Sequence, residues 1–202
     1  MNGHLQLEQI VNSFFSSNTY ILSEEKEYSV WLVDCGDAIP VIRWCEENGK
    51  EVAGVFLTHT HFDHIYGLND LLVHNPQLKV YTSENGSVSL KSPRFNMSLF
   101  HEHSFIYEGE VDVLHEGDNV KLYSDMELHV FDTPGHDWSC LSYRIGEYLF
   151  TGDSYIPGMK VVTNFPKSNK QQAQESLNRI LQMVESCRYI CPGHEKIQEV
   201  KI

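Results

Sequence analysis

Residues 57–67 read LTHTHFDHIYG, and six consecutive positions within them, His59-Thr60-His61-Phe62-Asp63-His64, carry three histidines and an aspartate. The apolar run VAGVFLT at 52–58 leads into them, the pattern of a short strand covered on both faces. With His and Asp each at a frequency of about 0.05, the pattern H-x-H-x-D-H has an expected chance count of about 0.001 in a chain of this length. A solvated polar loop would tolerate these side chains but has no reason to select them. Coordination does. Neutral imidazole and carboxylate are ligands for Zn²⁺ and Fe²⁺, and a loop at a strand end aims several of them at one point while the strand fixes its base.

Six residues rarely complete a metal site, so further His and Asp are expected from later strand ends. Three segments supply them: FDTPGHDW places His136 after a Pro-Gly turn, YLFTGDS places Asp153 after a glycine, and YICPGHE places His194 after a second Pro-Gly turn. Each has the order strand, tight turn, ligand. Glycine gives the backbone angles that such a turn toward a ligand requires.

Around these segments the apolar pattern predicts an α/β chain. Strands are expected at LQLEQIV, TYILS and YSVWLVD, the last two joined by the charged turn EEKE. A helix is expected over AIPVIRWCEENGK with Gly49 as its stop, followed by the strand before the histidines, which makes a βαβ-like unit. Residues 65–74 read as helical and LKVYT as a strand. The stretch from Ser87 to Glu110 reads as a long irregular segment with some helix. Strands then recur at VDVLH, NVKLY, MELHVFD, SCLSYRI and YLFTGD, with turn residues such as Glu116-Gly117-Asp118 between them. A helix over roughly 170–185 presents Leu177, Ile180, Leu181 and Val184 on one face, and the short strand YIC precedes His194.

Length and composition bound the class. The 202 residues suit one core and a single domain over 1–202, and 41% hydrophobic with 21% charged residues is ordinary globular usage. A formal charge of −13 with only 15 Lys and Arg argues against a nucleic-acid surface. The five cysteines are odd in number and none is in C-x-x-C spacing, so reduced, buried thiols are expected. The start MNGHLQLEQI carries no signal-peptide pattern and no window approaches eighteen apolar residues. A cytoplasmic location away from the membrane is the default expectation.

The motifs VDCG at 33–36, THTHFDH, TPGH, TGDS and CPGHE occur in an order and at intervals that resemble the metallo-β-lactamase-fold hydrolases, most closely the glyoxalase II-like (hydroxyacylglutathione hydrolase-like) branch. The resemblance runs from about Asn18 to Ile197. It implies a four-layer αββα sandwich with the site at one edge. It also implies that His59, His61 and His136 hold one divalent ion, that Asp63, His64 and His194 hold a second, and that Asp153 bridges them. Zinc is the first expectation for the pair, with iron or manganese as alternatives. Asp34 on the VDCG turn is expected to support the ligands from behind, with a turn or helix-capping role as the other reading.

A pair of such ions ionises a shared water, so the expected reaction is hydrolysis of a small-molecule substrate, a thioester or related acyl compound, with Asp63 orienting the hydroxide. RFNMSLF is similar to the branch's Asn-x-Ser segment. The chain departs from the branch after its Gly-Asp, where SYIPGMK makes Tyr155 and Lys160 candidate substrate contacts. Two other readings stand beside this one. A persulfide dioxygenase would use one iron on His59, His136 and Asp153, and a metal-bound protein without catalysis would need no complete hydrolytic set. The pair His101 and His103 is read as surface, and His4, His74, His115 and His129 as structural. Trp138 either borders the site or packs in the core.

Overall fold

In the computed structural model, which describes residues 4–200, the first third of the chain enters a six-stranded sheet. Its strands lie in the order β1 (Gln6–Val11), β2 (Asn18–Ser23), β3 (Ser29–Val33), β4 (Glu51–Phe56), β5 (Lys79–Thr82) and β6 (Asp112–Val113). The first three are antiparallel neighbours, and β3 to β6 run parallel. A parallel step requires a crossover, and α1 (Ala38–Asn48) makes the one from β3 to β4. It stops where the sequence places the signal, at Gly49, whose φ of 62° lets its N–H reach back to the Cys45 and Glu46 carbonyls.

The second sheet contains β7 (Asn119–Tyr123), β8 (Met126–Asp132), β9 (Leu141–Ile145), β10 (Tyr148–Gly152), β11 (Tyr189–Pro192) and β12 (Gln198–Glu199), also in sequential order. It is antiparallel except between β10 and β11, which are joined through α4 (Lys170–Val184).

Successive strand residues face opposite sides of a sheet, and the core sorts accordingly. Tyr20, Leu22, Val33 and Phe56 of the first sheet meet Leu128, Val130, Tyr143 and Phe150 of the second. Ile21, Val30, Leu32 and Val55 face the other way, against Val41 of α1, Leu68 and Leu71 of α2 (Leu68–His74) and Leu90 of α3 (Glu84–Leu90). On the far side of the second sheet Leu149 packs on Ile180 of α4. Three apolar layers therefore separate helices, sheet, sheet and helix, the four-layer sandwich that the motifs imply.

Four local expectations change. The buried stripe of α4 is Ala173, Ser176 and Ile180, whereas Leu181 is 43% exposed. Small residues are needed there because the helix lies against the Pro134-Gly135 turn: Ser176 Oγ donates to the Pro134 carbonyl at 2.7 Å, and a Cβ on Gly135 would collide with the Ala173 backbone. Within VDVLH only Asp112 and Val113 pair. The segment before it is more ordered than its sequence suggests, with α3 and a 3₁₀ turn at Ser98–Phe100. Asn96 and Ser98 pin that loop by hydrogen bonds to Phe105. The two-residue strand β12 has no periodicity to announce it.

Candidate metal centre

Every expected ligand follows the carboxyl end of a strand: the His59–His64 segment follows β4, His136 follows β8, Asp153 follows β10 and His194 follows β11. The strands carry the backbone to one place, and the turns aim the side chains. Gly152, at φ 49°, turns the chain so that Asp153 points inward. Gly193 is required for close approach, since a Cβ there would strike Asp153 Oδ1 and lie 3.0 Å from His64 Cε1.

All seven side chains converge. The ligand atoms of His59, His61 and His136 lie within 4.8 Å of one another, as do those of Asp63, His64 and His194 and those of His59, His64 and Asp153. His61 Nδ1 and His136 Nε2 are 3.0 Å apart. Asp153 Oδ2 lies 3.5 Å from both His136 Nε2 and His194 Nε2, so one carboxylate spans the two halves of the cage. Asp63 Oδ2 is 3.4 Å from His64 Nε2 and from His194 Nε2.

Outer partners set the tautomers of four of the five imidazoles. His64 Nδ1 donates to Asp34 Oδ2 at 3.0 Å, His136 Nδ1 to the Val162 carbonyl at 2.9 Å, and His194 Nδ1 to the Phe15 carbonyl at 3.1 Å. Thr58 Oγ1 donates to Asp34 Oδ2 at 2.7 Å and so accepts from His59 Nδ1 at 3.2 Å. Each of these rings turns its Nε2 inward. Asp34 thus holds Thr58 and His64 from behind the cage. It is fully buried, at φ 59°, a conformation aspartate tolerates better than most residues, and its Oδ1 also accepts from the Thr58 amide at 2.7 Å.

The donor set fits a divalent cation. His59 Nε2, His64 Nε2 and Asp153 Oδ1 are buried with no hydrogen-bond partner among the described residues. Buried polar atoms are rarely left so, and imidazole with carboxylate is the ligand chemistry of zinc and iron.

The electrostatics divide the cage. Burial, reinforced by the neighbouring imidazoles, pushes His59 well below its ordinary value and His61 down to about 3. Burial would also lower His64 and His194. Asp63, Asp34 and Asp153 outweigh it at His64, raising it to about 9, and Asp153 and Asp63 raise His194 to about 10. Burial opposes the Asp153 charge, but the His194 hydrogen bond and the surrounding imidazoles hold its carboxyl well below the usual range.

Tyr155 and Lys160 do not join the seven. The Tyr155 ring packs against Leu149, Ile180 and Cys187 in the α4 layer, and Lys160 is exposed. Trp138 bonds Ser89 Oγ through Nε1 at 2.9 Å and lies under the Lys167 ammonium at 3.9 Å from its ring centre. The five cysteines are free and buried, and burial raises the Cys35 and Cys140 thiols.

An aromatic rim went unread in the sequence. His101 stacks on Phe62 with ring centres 4.5 Å apart, Phe14 packs edge-on to both, and Phe15 is 69% exposed beside them. Phe165 lies 4.9 Å from His61 and 5.5 Å from His136. The adjacent aromatics of NSFFSS, in a polar turn between strands, were a usable signal. Phe165 gave none.

A family model described as the metallo-beta-lactamase superfamily matches residues 12–194. A hydroxyacylglutathione hydrolase of Enterobacter sp. (strain 638) is 30% identical over 185 residues, 92% of this chain and 64% of that protein. The chain therefore spans just under two thirds of this relative's length. Among solved structures, the B3 metallo-beta-lactamase BLEG-1 superposes with a TM-score of 0.86 at 21% identity, covering 96% of this chain and 94% of that one. ETHE1 from Myxococcus xanthus superposes with a TM-score of 0.75 at 25% identity, covering 96% and 79%. With the strand ends, the seven convergent side chains and a family match over nearly the whole length, the chain belongs to the metallo-beta-lactamase superfamily.

Proposed function

We propose that the protein is a metal-dependent hydrolase that cleaves a thioester or related acyl bond in a small-molecule substrate. The observation that carries this reading is the continuity of the cage: His59 and His64 each belong to two of its three candidate ligand groups, so the groups form one connected site. Two divalent cations bound there, most simply zinc, would lower the pKa of a shared water toward neutrality and polarise a substrate carbonyl. His59, His61 and His136 would hold one, Asp63, His64 and His194 the other, and Asp153 would face both. Asp63, 3.4 Å from His64 Nε2 and from His194 Nε2, would orient the attacking water through its carboxylate. Phe165, packed against His61 and His136, gives the cage an apolar wall that suits the acyl portion of a substrate. The likeness to the Enterobacter hydroxyacylglutathione hydrolase supports the thioester class. That protein extends beyond the matched region, and the proposal is made for the thioester class alone.

The likeness to ETHE1 supports a second reading, a persulfide dioxygenase with a single iron on His59, His136 and Asp153. Metal analysis of the purified protein, with thiol release from a thioester panel and oxygen uptake with persulfides, separates the two. Hydrolysis predicts about two metal ions per chain and thiol release without oxygen uptake. One iron per chain with oxygen uptake would replace it by the second reading, and metal without turnover of either kind would contradict both.

A further inference from the structure

Four of the five imidazoles in the cage have an outer partner within hydrogen-bond distance, and His61 is the exception. Its Nδ1 faces His136 Nε2, which leaves Nε2 turned outward, buried and unpaired. The group it faces is the carboxylate of Asp137, 3.7 Å away from Nε2 at Oδ2, and that oxygen is likewise buried and unpaired. Asp137 is 1% exposed, and its other oxygen is fixed: Oδ1 accepts from the Ser139 amide at 2.9 Å and from the Ser139 hydroxyl. The free oxygen is therefore held toward His61, and the 3.7 Å separation exceeds hydrogen-bond distance by about 0.5–1 Å, a gap of the kind that tightens when a site is loaded.

Resting on the metal-binding reading above, we propose that Asp137 is a positioning residue for His61. It accepts the proton at Nε2 and so delivers Nδ1, unprotonated, to the metal. It does for this half of the cage what Asp34 does for His64 in the other.

Asparagine in this place makes a specific prediction. It must commit its one oxygen to the Ser139 amide, which turns its NH₂ toward His61 Nε2. That donor favours the opposite tautomer, with the proton on Nδ1, where it blocks coordination. The logic is that of an aspartate that fixes a catalytic imidazole's tautomer. Alanine removes the acceptor without imposing the wrong tautomer, but it also removes the anchor for Ser139.

The test compares Asp137→Asn and Asp137→Ala with the parent protein in two readouts: zinc affinity by competition with a chromophoric chelator, and melting temperature of the metal-free form. Cobalt titration, followed by its visible absorption, gives a second count of occupied sites. For Asp137→Asn the affinity of one of the two ions should fall about 10–100-fold, more than for Asp137→Ala. The metal-free melting temperatures should run the other way, with Asp137→Ala the lower. A merely structural aspartate would make alanine the worse variant in both readouts, and that result would overturn the proposal, as would parent-like zinc affinity in Asp137→Asn. A parent protein that binds neither zinc nor cobalt would instead overturn the metal reading, and this inference with it.

Discussion

At the scale of single residues, the cage is defined as much by what holds its side chains as by the side chains themselves. Asp34 anchors Thr58 and His64 at once, and through Thr58 it reaches His59. Asp34→Asn should weaken metal binding about 10–100-fold, the range for loss of an outer partner, and lower stability by about 1–3 kcal/mol through a mismatched buried donor. Zinc competition and chemical denaturation check the two effects. His59→Ala removes a proposed ligand itself and should cost more, about 100-fold or beyond in activity with loss of bound metal, measured by metal content and turnover together. The pH dependence of the metal-free protein follows from the shifted imidazoles. His64 and His194 hold protons up to about 9 and about 10, well above the ordinary 6.5, so their contribution is complete below pH 6.5 and is lost as pH rises toward 9–10. His61 refuses a proton down to about 3, so the unfolded chain gains protons first and stability falls again as pH drops below 6.5. The melting temperature of metal-free protein should therefore peak near pH 6.5, and bound metal, which replaces the protons on His64 and His194, should flatten the alkaline side.

At the scale of elements, what was legible depended on whether a contact is local. Gly49, the strand at TYILS, and the strand-turn-ligand order at His136, Asp153 and His194 are properties of short windows, and a window of sequence carries them. The buried stripe of α4 is not such a property. Leu181 looks core-facing by period, yet Ala173 and Ser176 take the inner face because the Pro134-Gly135 turn comes so close, a fact fixed by residues about forty positions away. The aromatics behave alike: Phe14, Phe62 and His101 meet only after folding, and so do Phe165 and His61. Gly193 shows the element scale acting on the site, since β11 must bring its backbone against Asp153. Gly193→Ala should displace that carboxylate, so that metal content falls while the far-UV circular dichroism and the β-sheet signal stay as in the parent. Full metal occupancy in this variant would show that the approach is looser than the geometry requires.

At the scale of the whole molecule, the two sheets bring strand ends from residues 33 to 194 to one cage, and the helices seal the outer faces. No helix among the described residues is long and apolar enough to cross a membrane. The family was readable because its motifs are the cage itself, whereas the substrate was not, because related chemistries share those ligands and differ in walls assembled from distant loops. The central claim is that the seven side chains enclose a pair of divalent ions, and anomalous X-ray scattering from crystals of zinc-loaded protein tests it most directly. Two peaks about 3.5–4 Å apart, one among His59, His61 and His136, the other among Asp63, His64 and His194, with Asp153 between them, are the expected result. Anomalous density only elsewhere on the molecule, with the seven side chains in crystals of loaded protein pointing away from a common centre, would contradict it.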